Sequence, residues 1–179
     1  MSPSPALPKV TLVLGGARSG KSRFAEGLIA AHPGRHAYLA TAQAGDAEMA
    51  ERIRRHRARR GAGWTTIEEP LELPRALASA TRDNAAVLVD CLTLWLSNLM
   101  AAGRNVESGT QSLVESLPAL GAPVVFVSNE VGLGIVPDNA LARAFRDHAG
   151  FLHQAIAAAA DRVYLIVAGL PLLLKKEDQ

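Results

Sequence analysis

The chain has 179 residues, 49% apolar and 20% charged, which suits one core-forming domain and excludes a disordered segment. A net charge of +2, from 19 Lys+Arg against 17 Asp+Glu, argues against a general polyanion binder, so no nucleic-acid partner is expected. The single cysteine, Cys91, excludes a disulfide framework and a cysteine-based zinc cluster, and a reducing cytoplasm is the natural compartment.

Residues 1–8 hold three prolines and no basic n-region, so they read as a flexible N-terminal tail and not as a signal peptide. Residues 9–175 form the expected domain and 176–179 a C-terminal tail. Lys9–Leu14 (KVTLVL) is a buried-strand pattern ended by Gly15-Gly16. Lys21–Ala31 has helical spacing, with Phe24, Leu28 and Ala31 on one side. A strand over His36–Thr41 follows, then a helix over Asp46–Arg60 with Asp46 as N-cap candidate. Trp64–Ile67 reads as a short strand and Leu71–Ala80 as a helix. The apolar stretch Ala85–Ala102 contains Asp90 and Asn98, which a membrane span would have to hide. It reads instead as a strand, Ala86–Cys91, running into a helix. Gly103–Gly109 is a polar loop and Ser108–Leu120 a further helix. Pro123–Ser128 is a strand, Pro137–Ala160 holds a long helix, and Arg162–Ala168 is the last strand expected. Apolar strands alternating with helices predict an α/β, three-layer fold: a mostly parallel sheet with helices on both faces.

Gly15-Gly16-Ala17-Arg18-Ser19-Gly20-Lys21-Ser22 fits G-x-x-x-x-G-K-[ST] in full, after an apolar strand and before a helix. Glycines let the backbone curl so that successive N–H groups face phosphate oxygens, and the helix start adds its positive dipole end. Lys21 is placed to reach the β- and γ-phosphates and the Ser22 hydroxyl to ligate Mg²⁺. Asp90, closing AVLVD, is the natural second magnesium ligand. Asn129 to Pro137 (NEVGLGIVP) follows a strand, on the side where loops of parallel sheets face ligand. Glu130 there is a candidate proton acceptor, although a glycine-dependent turn explains the segment as well. Packing is the expected role of Trp64 and Trp95, and His148 and His153 carry no expected chemistry.

Glu51–Arg60 (ERIRRHRARR) carries six arginines and one glutamate, a charge of +5 in ten residues. Met49, Ile53 and His56 share one helical face, and guanidinium groups surround the histidine. Three readings stand for this segment: a solvated basic helix, a nucleic-acid patch, or a nucleotide site with His56 as nucleophile. Surrounding positive charge disfavours imidazolium and keeps His56 nucleophilic near neutral pH.

GGARSGKS, YLATAQ (Tyr38–Gln43), DAEMAERIRRHRARR, WTTIE (Trp64–Glu68), VLVDCLTLWLSNL, VVFVSNEVGLGIVP and the segment Leu141–Lys175 cover most of the chain in order. Together they resemble the bifunctional adenosylcobinamide kinase / adenosylcobinamide-phosphate guanylyltransferase family of cobalamin biosynthesis. The resemblance implies a RecA-like P-loop NTPase fold and a trimeric homo-oligomer. It also implies two reactions. A nucleoside triphosphate (ATP or GTP) phosphorylates the aminopropanol hydroxyl of adenosylcobinamide. GTP then loses pyrophosphate to a histidine, and adenosylcobinamide phosphate attacks the GMP-histidine to give adenosylcobinamide-GDP. The guanylylated histidine aligns with His56. The nucleotide contacts carry over to Gly15 through Ser22, Thr41, Ala42, Gln43, Arg57, Ala58, Arg59, Arg60, Glu68 and Asp90. Some relatives have paired histidines where this chain has Arg55-His56, and some have Glu at the position of Asp90. The alternative is a small-molecule kinase that uses the phosphate loop without guanylyl transfer.

Overall fold

A computed structural model describes residues 7–42 and 63–176. Seven strands form one sheet: β1 Val10–Gly15, β2 His36–Ala40, β3 Trp64–Glu68, β4 Ala86–Asp90, β5 Val124–Asn129, β6 Arg162–Val167 and β7 Leu170–Lys176. Their order is β3-β2-β4-β5-β1-β6-β7. Every pairing from β3 to β6 is parallel, and β7 alone runs antiparallel. The described helices are α1 Lys21–Ala30, α2 Leu73–Arg82, α3 Leu92–Ala101, α4 Val106–Ser116 and α5 Ala140–Ala159. The helix expected over Asp46–Arg60 lies outside the described residues.

Strand side chains alternate between faces, and the sheet uses both. Val10, Leu12, Leu14, Val87, Val89, Val124 and Phe126 pack with Leu77 of α2, Trp95 of α3, Leu113 of α4 and Leu152 of α5. Val13, Tyr38, Ala40, Leu88, Val125, Val127 and Ile166 pack on the other face with Ala25 and Ile29 of α1. Continuous apolar strands are what a sheet covered on both sides requires.

Local chemistry sets the ends. Asn105 caps α4 by accepting from the Ser108 N–H (2.8 Å), so the helix begins at Val106, inside the stretch expected to be a polar loop. Pro118 lies in a short 3₁₀ turn, Leu117–Ala119, that ends this region. Asn139 caps α5 by accepting from the Ala142 N–H (2.8 Å). The Glu69 carboxylate accepts from the N–H groups of Leu71 (3.0 Å) and Glu72 (2.9 Å) just ahead of α2.

Two features depart from the sequence reading. The buried stripe of α1 is Lys21, Ala25 and Ile29, with Phe24 and Leu28 only partly buried. The helix is rotated because its first residue folds inward, and Phe24 packs edge-on against Tyr164 of β6 (4.9 Å between centroids). The second is β7, where no strand was expected. Ala168 and Gly169 both take positive φ (51° and 81°), a two-residue turn that returns the chain along β6. The strand is at the sheet edge, where Pro171 is tolerated and Leu170, Leu172, Leu173 and Leu174 stay exposed. Among the described residues no helix is long and apolar enough to cross a membrane.

Candidate functional site

The carboxyl ends of the parallel strands bring most candidate residues to one edge of the sheet. Gly15 of β1 is in register with Asn129 of β5 and Ile166 of β6. Asp90 of β4 is in register with Val127 of β5 and Ala40 of β2, and Ala40 with Glu68 of β3. Ligands of parallel α/β sheets bind along such an edge.

The loop between β1 and α1 is tightly folded. Its turn is closed by the Ser19 N–H donating to Gly16 O (3.3 Å), and Gly20 lies at φ 97°, a region open to glycine. A Cβ on Gly15 would stand 2.5 Å from Ser19 Oγ and 2.8 Å from Ile166 O, so position 15 has no room for a side chain. Lys21 is buried (7% exposed) and its Nζ donates to Gly16 O (3.1 Å), so the side chain arches back over the loop. Gly16, Ala17, Arg18 and Gly20 are exposed at the rim, and Ser22 is half-buried in the first turn of α1. Ser19 Oγ is buried with no hydrogen-bond partner among the described residues. The Gly169 N–H donates to Ser19 O (2.8 Å), which ties the β6–β7 turn to the loop.

Asp90 is half-buried at the end of β4, and the Asp90–Cys91 peptide is cis. Beside it Thr41 is fully buried and clasps the next residue. Its Oγ1 donates to Cys91 O (2.8 Å) and accepts from the Cys91 N–H (2.9 Å). Asn98 Nδ2 donates to Thr41 O (2.7 Å) and to Pro70 O (3.1 Å). Asn129 Nδ2 donates to Thr93 Oγ1 (2.8 Å), which contacts Cys91 Sγ (3.1 Å). Burial, and then the charge of Asp90, push the Cys91 thiol up to about 11, so it stays protonated and inert. This polar network braces the loops after β2, β4 and β5 against one another.

Ala42 is half-buried after Thr41, and Glu68 is exposed at the end of β3. Gln43, His56, Arg57, Ala58, Arg59 and Arg60 lie outside the described residues. Trp95 is a core residue whose indole Nε1–H donates to Leu71 O (2.8 Å), in keeping with the packing role expected of it.

The structure also brings together three side chains from β5, the loop after it and α5. His153 of α5 is buried, with Nε2 at 2.7 Å from Ser128 Oγ and Nδ1 at 4.0 Å from Glu130 Oε2. Burial lowers its pKa, against the opposing pull of the Glu130 charge, so the ring is neutral near pH 7. Its spacing with Ala149 and Ile156 on the buried face was a usable signal.

A family model described as cobinamide kinase / cobinamide phosphate guanyltransferase (CobU) matches residues 11–174. The bifunctional adenosylcobalamin biosynthesis protein CobP of Pseudomonas aeruginosa is 52% identical over 168 residues, 93% of this chain and 97% of that protein. The bifunctional adenosylcobalamin biosynthesis protein CobU of Salmonella typhimurium is 42% identical, covering 92% of this chain and 98% of its own length. Among solved structures, the flagellar accessory protein FlaH from Methanocaldococcus jannaschii superposes with a TM-score of 0.56 at 11% identity, over 99% of this chain and 86% of that one. The P4 protein from bacteriophage phi6 in complex with ADP gives 0.53 at 17% identity, over 96% of this chain and 55% of that one. These distant structures establish the fold alone, that of RecA-like P-loop ATPases. The sequence matches go further: the chain belongs to the cobinamide kinase / cobinamide phosphate guanyltransferase family.

Proposed function

We propose that the protein phosphorylates the aminopropanol hydroxyl of adenosylcobinamide with ATP or GTP, and then transfers GMP from GTP to the product through a GMP-histidine at His56. The observation that carries this reading is the complete phosphate loop, folded with Lys21 turned over it, in a chain matched by the family model from 11 to 174.

In the kinase step the loop Gly16–Gly20 and the N-terminus of α1 cradle the phosphates, and Lys21 exchanges its bond to Gly16 O for phosphate oxygens. Ser22 and Asp90 are the residues that would hold Mg²⁺. The donor set fits: two oxygen donors, a hydroxyl in the first turn of α1 and a carboxylate at the end of β4. Mg²⁺ prefers such sparse protein ligation, completed by phosphate and water. When bound it neutralises charge building on the β- and γ-oxygens. The orphaned Ser19 hydroxyl adds a further polar group beneath the loop.

In the second step the His56 imidazole attacks the α-phosphorus of GTP and pyrophosphate leaves. The phosphate of adenosylcobinamide phosphate then attacks the same phosphorus and releases the histidine. Splitting the transfer lets one anion depart before the next approaches. Arg57, Arg59 and Arg60 would bind the phosphates, and Thr41, Ala42, Gln43 and Glu68 would complete the nucleotide contacts. We further expect a homo-oligomer, a trimer by family resemblance, acting in the cytoplasm.

Incubation with α-labelled GTP, Mg²⁺ and cobinamide, followed by mass spectrometry, tests both steps. Label should enter the protein through an acid-labile, base-stable bond that His56→Ala abolishes, while phosphorylation of cobinamide persists in that variant. Labelling that survives His56→Ala would sink the assignment. Cobinamide phosphate formed without any GMP transfer would leave the simple-kinase alternative.

A further inference from the structure

We infer that Glu130 takes the proton from the acceptor hydroxyl during phosphoryl transfer, and that buried His153, held by Ser128, is the positioning residue that aims it. The inference rests on the kinase reading above and assigns it a base.

Placement comes first. β5 ends at Asn129, in register with Gly15, and the next N–H, that of Glu130, donates to Gly15 O (3.0 Å). Glu130 is therefore anchored by its backbone to the first residue of the phosphate loop. Its side chain is only partly exposed (24%), so the carboxylate is not fully solvated.

The carboxylate is also held. Oε1 accepts from the Gly132 N–H (2.6 Å), and a Cβ on Gly132 would crowd that oxygen at 3.0 Å. Oε2 faces His153 Nδ1 at 4.0 Å. A bare Nδ1 lone pair facing a carboxylate would be repulsive, so the ring proton belongs on Nδ1. Nε2 then accepts from the Ser128 hydroxyl (2.7 Å), which is fully buried and fixes the ring. Because burial keeps His153 neutral, it faces Glu130 as a dipole and not as a full positive charge. A role in packing alone would be served as well by apolar side chains, which carry no cost of burying polar atoms.

The step balances simply. The hydroxyl oxygen bonds to the γ-phosphorus as the bond from that phosphorus to the β,γ-bridging oxygen breaks and ADP departs. The hydroxyl proton passes to Glu130, which later releases it to water.

The test is a double-mutant cycle on phosphorylation of adenosylcobinamide by ATP and Mg²⁺, with kcat and KM measured separately. Glu130→Gln should lower kcat by roughly 10²–10⁴-fold with KM for ATP within about threefold, and Glu130→Asp should recover part of the loss. His153→Gln should lower kcat about tenfold alone but less than about twofold in the Glu130→Gln background, because it acts through that carboxylate. Ser128→Ala, a smaller change, should show the same disappearing effect and decides the matter where His153→Gln fails to fold. A Glu130→Gln enzyme within about threefold of wild-type kcat would overturn the base, on the scale of ordinary proton-transfer catalysis. Losses from His153 or Ser128 that multiply in full with that of Glu130 would overturn the positioning role. Wild-type protein that makes no cobinamide phosphate would remove the kinase reading itself, and this assignment with it.

Discussion

The phosphate loop and the crevice wall beside it are built in opposite ways. The loop is local: eight consecutive residues, with Lys21 bonded five positions back to Gly16. The wall is assembled from afar: Thr41 clasps Cys91, Asn129 reaches Thr93, and Ser128 meets His153. A local device depends on backbone room and one cation. A device assembled at long range depends on the whole sheet holding its register. Substitutions in the loop should therefore cost activity first, and substitutions in the Thr41–Cys91 part of the wall should cost stability first.

Lys21→Ala is expected to have the largest effect, a loss of about 10²–10³-fold in the kinase step as one preorganised phosphate donor disappears. Thermal unfolding should change far less than turnover, and phosphorylation kinetics equal to wild type would break the contrast. Thr41→Val belongs to the wall. It leaves the Cys91 N–H without its partner in a buried place, while Cys91 O keeps the Trp95 N–H (3.1 Å), a cost of about 1–3 kcal/mol read by denaturant unfolding. Gly15→Ala sharpens the comparison, because the loop also has a packing limit. The added methyl would meet Ser19 Oγ and Ile166 O, and a stability loss of about 1–3 kcal/mol is expected alongside weaker nucleotide binding.

The smallest effect is one of pH. The folded-state pKa of His153 lies below its unfolded value, so the unfolded chain takes up a proton first on acidification. Its contribution to stability is fully present above the unfolded value of about 6.5 and is lost as pH falls toward the folded value, at no more than about 1.4 kcal/mol per pH unit. Unfolding free energies measured from pH 7.5 to 5 should fall less steeply in His153→Gln. Identical slopes would mean that this histidine is not buried neutral.

What could be read in advance follows the same division. GGARSGKS was legible because phosphate binding by backbone needs contiguous residues, and the end of β4 at Asp90 was legible because that residue closes an apolar run. Lys21 was expected at the phosphates, but its burial was not. A charged residue opening the buried stripe of α1 contradicts hydrophobic periodicity and makes sense only once the loop is closed over it. The start of α4 was misjudged because Asn105 reads as a loop residue until its side chain is seen capping. Ser128 and His153 are 25 positions apart on different elements, and no spacing rule joins them. β7 was missed because an exposed run of leucines beside a proline resembles neither a buried strand nor a half-buried one.

The hydrogen bond from Gly169 to Ser19 ties that last hairpin to the phosphate loop. The two glycines at the junction also leave little slack, since a Cβ on Gly20 would stand 3.2 Å from Gly169 Cα. Peeling β7 from β6 would pull on the turn between them and so on the phosphate loop. A tag or truncation at the carboxyl terminus would thus be expected to perturb the phosphate loop as well as the sheet edge. An enzyme handled that way would report altered kinetics whose origin lies in the last strand.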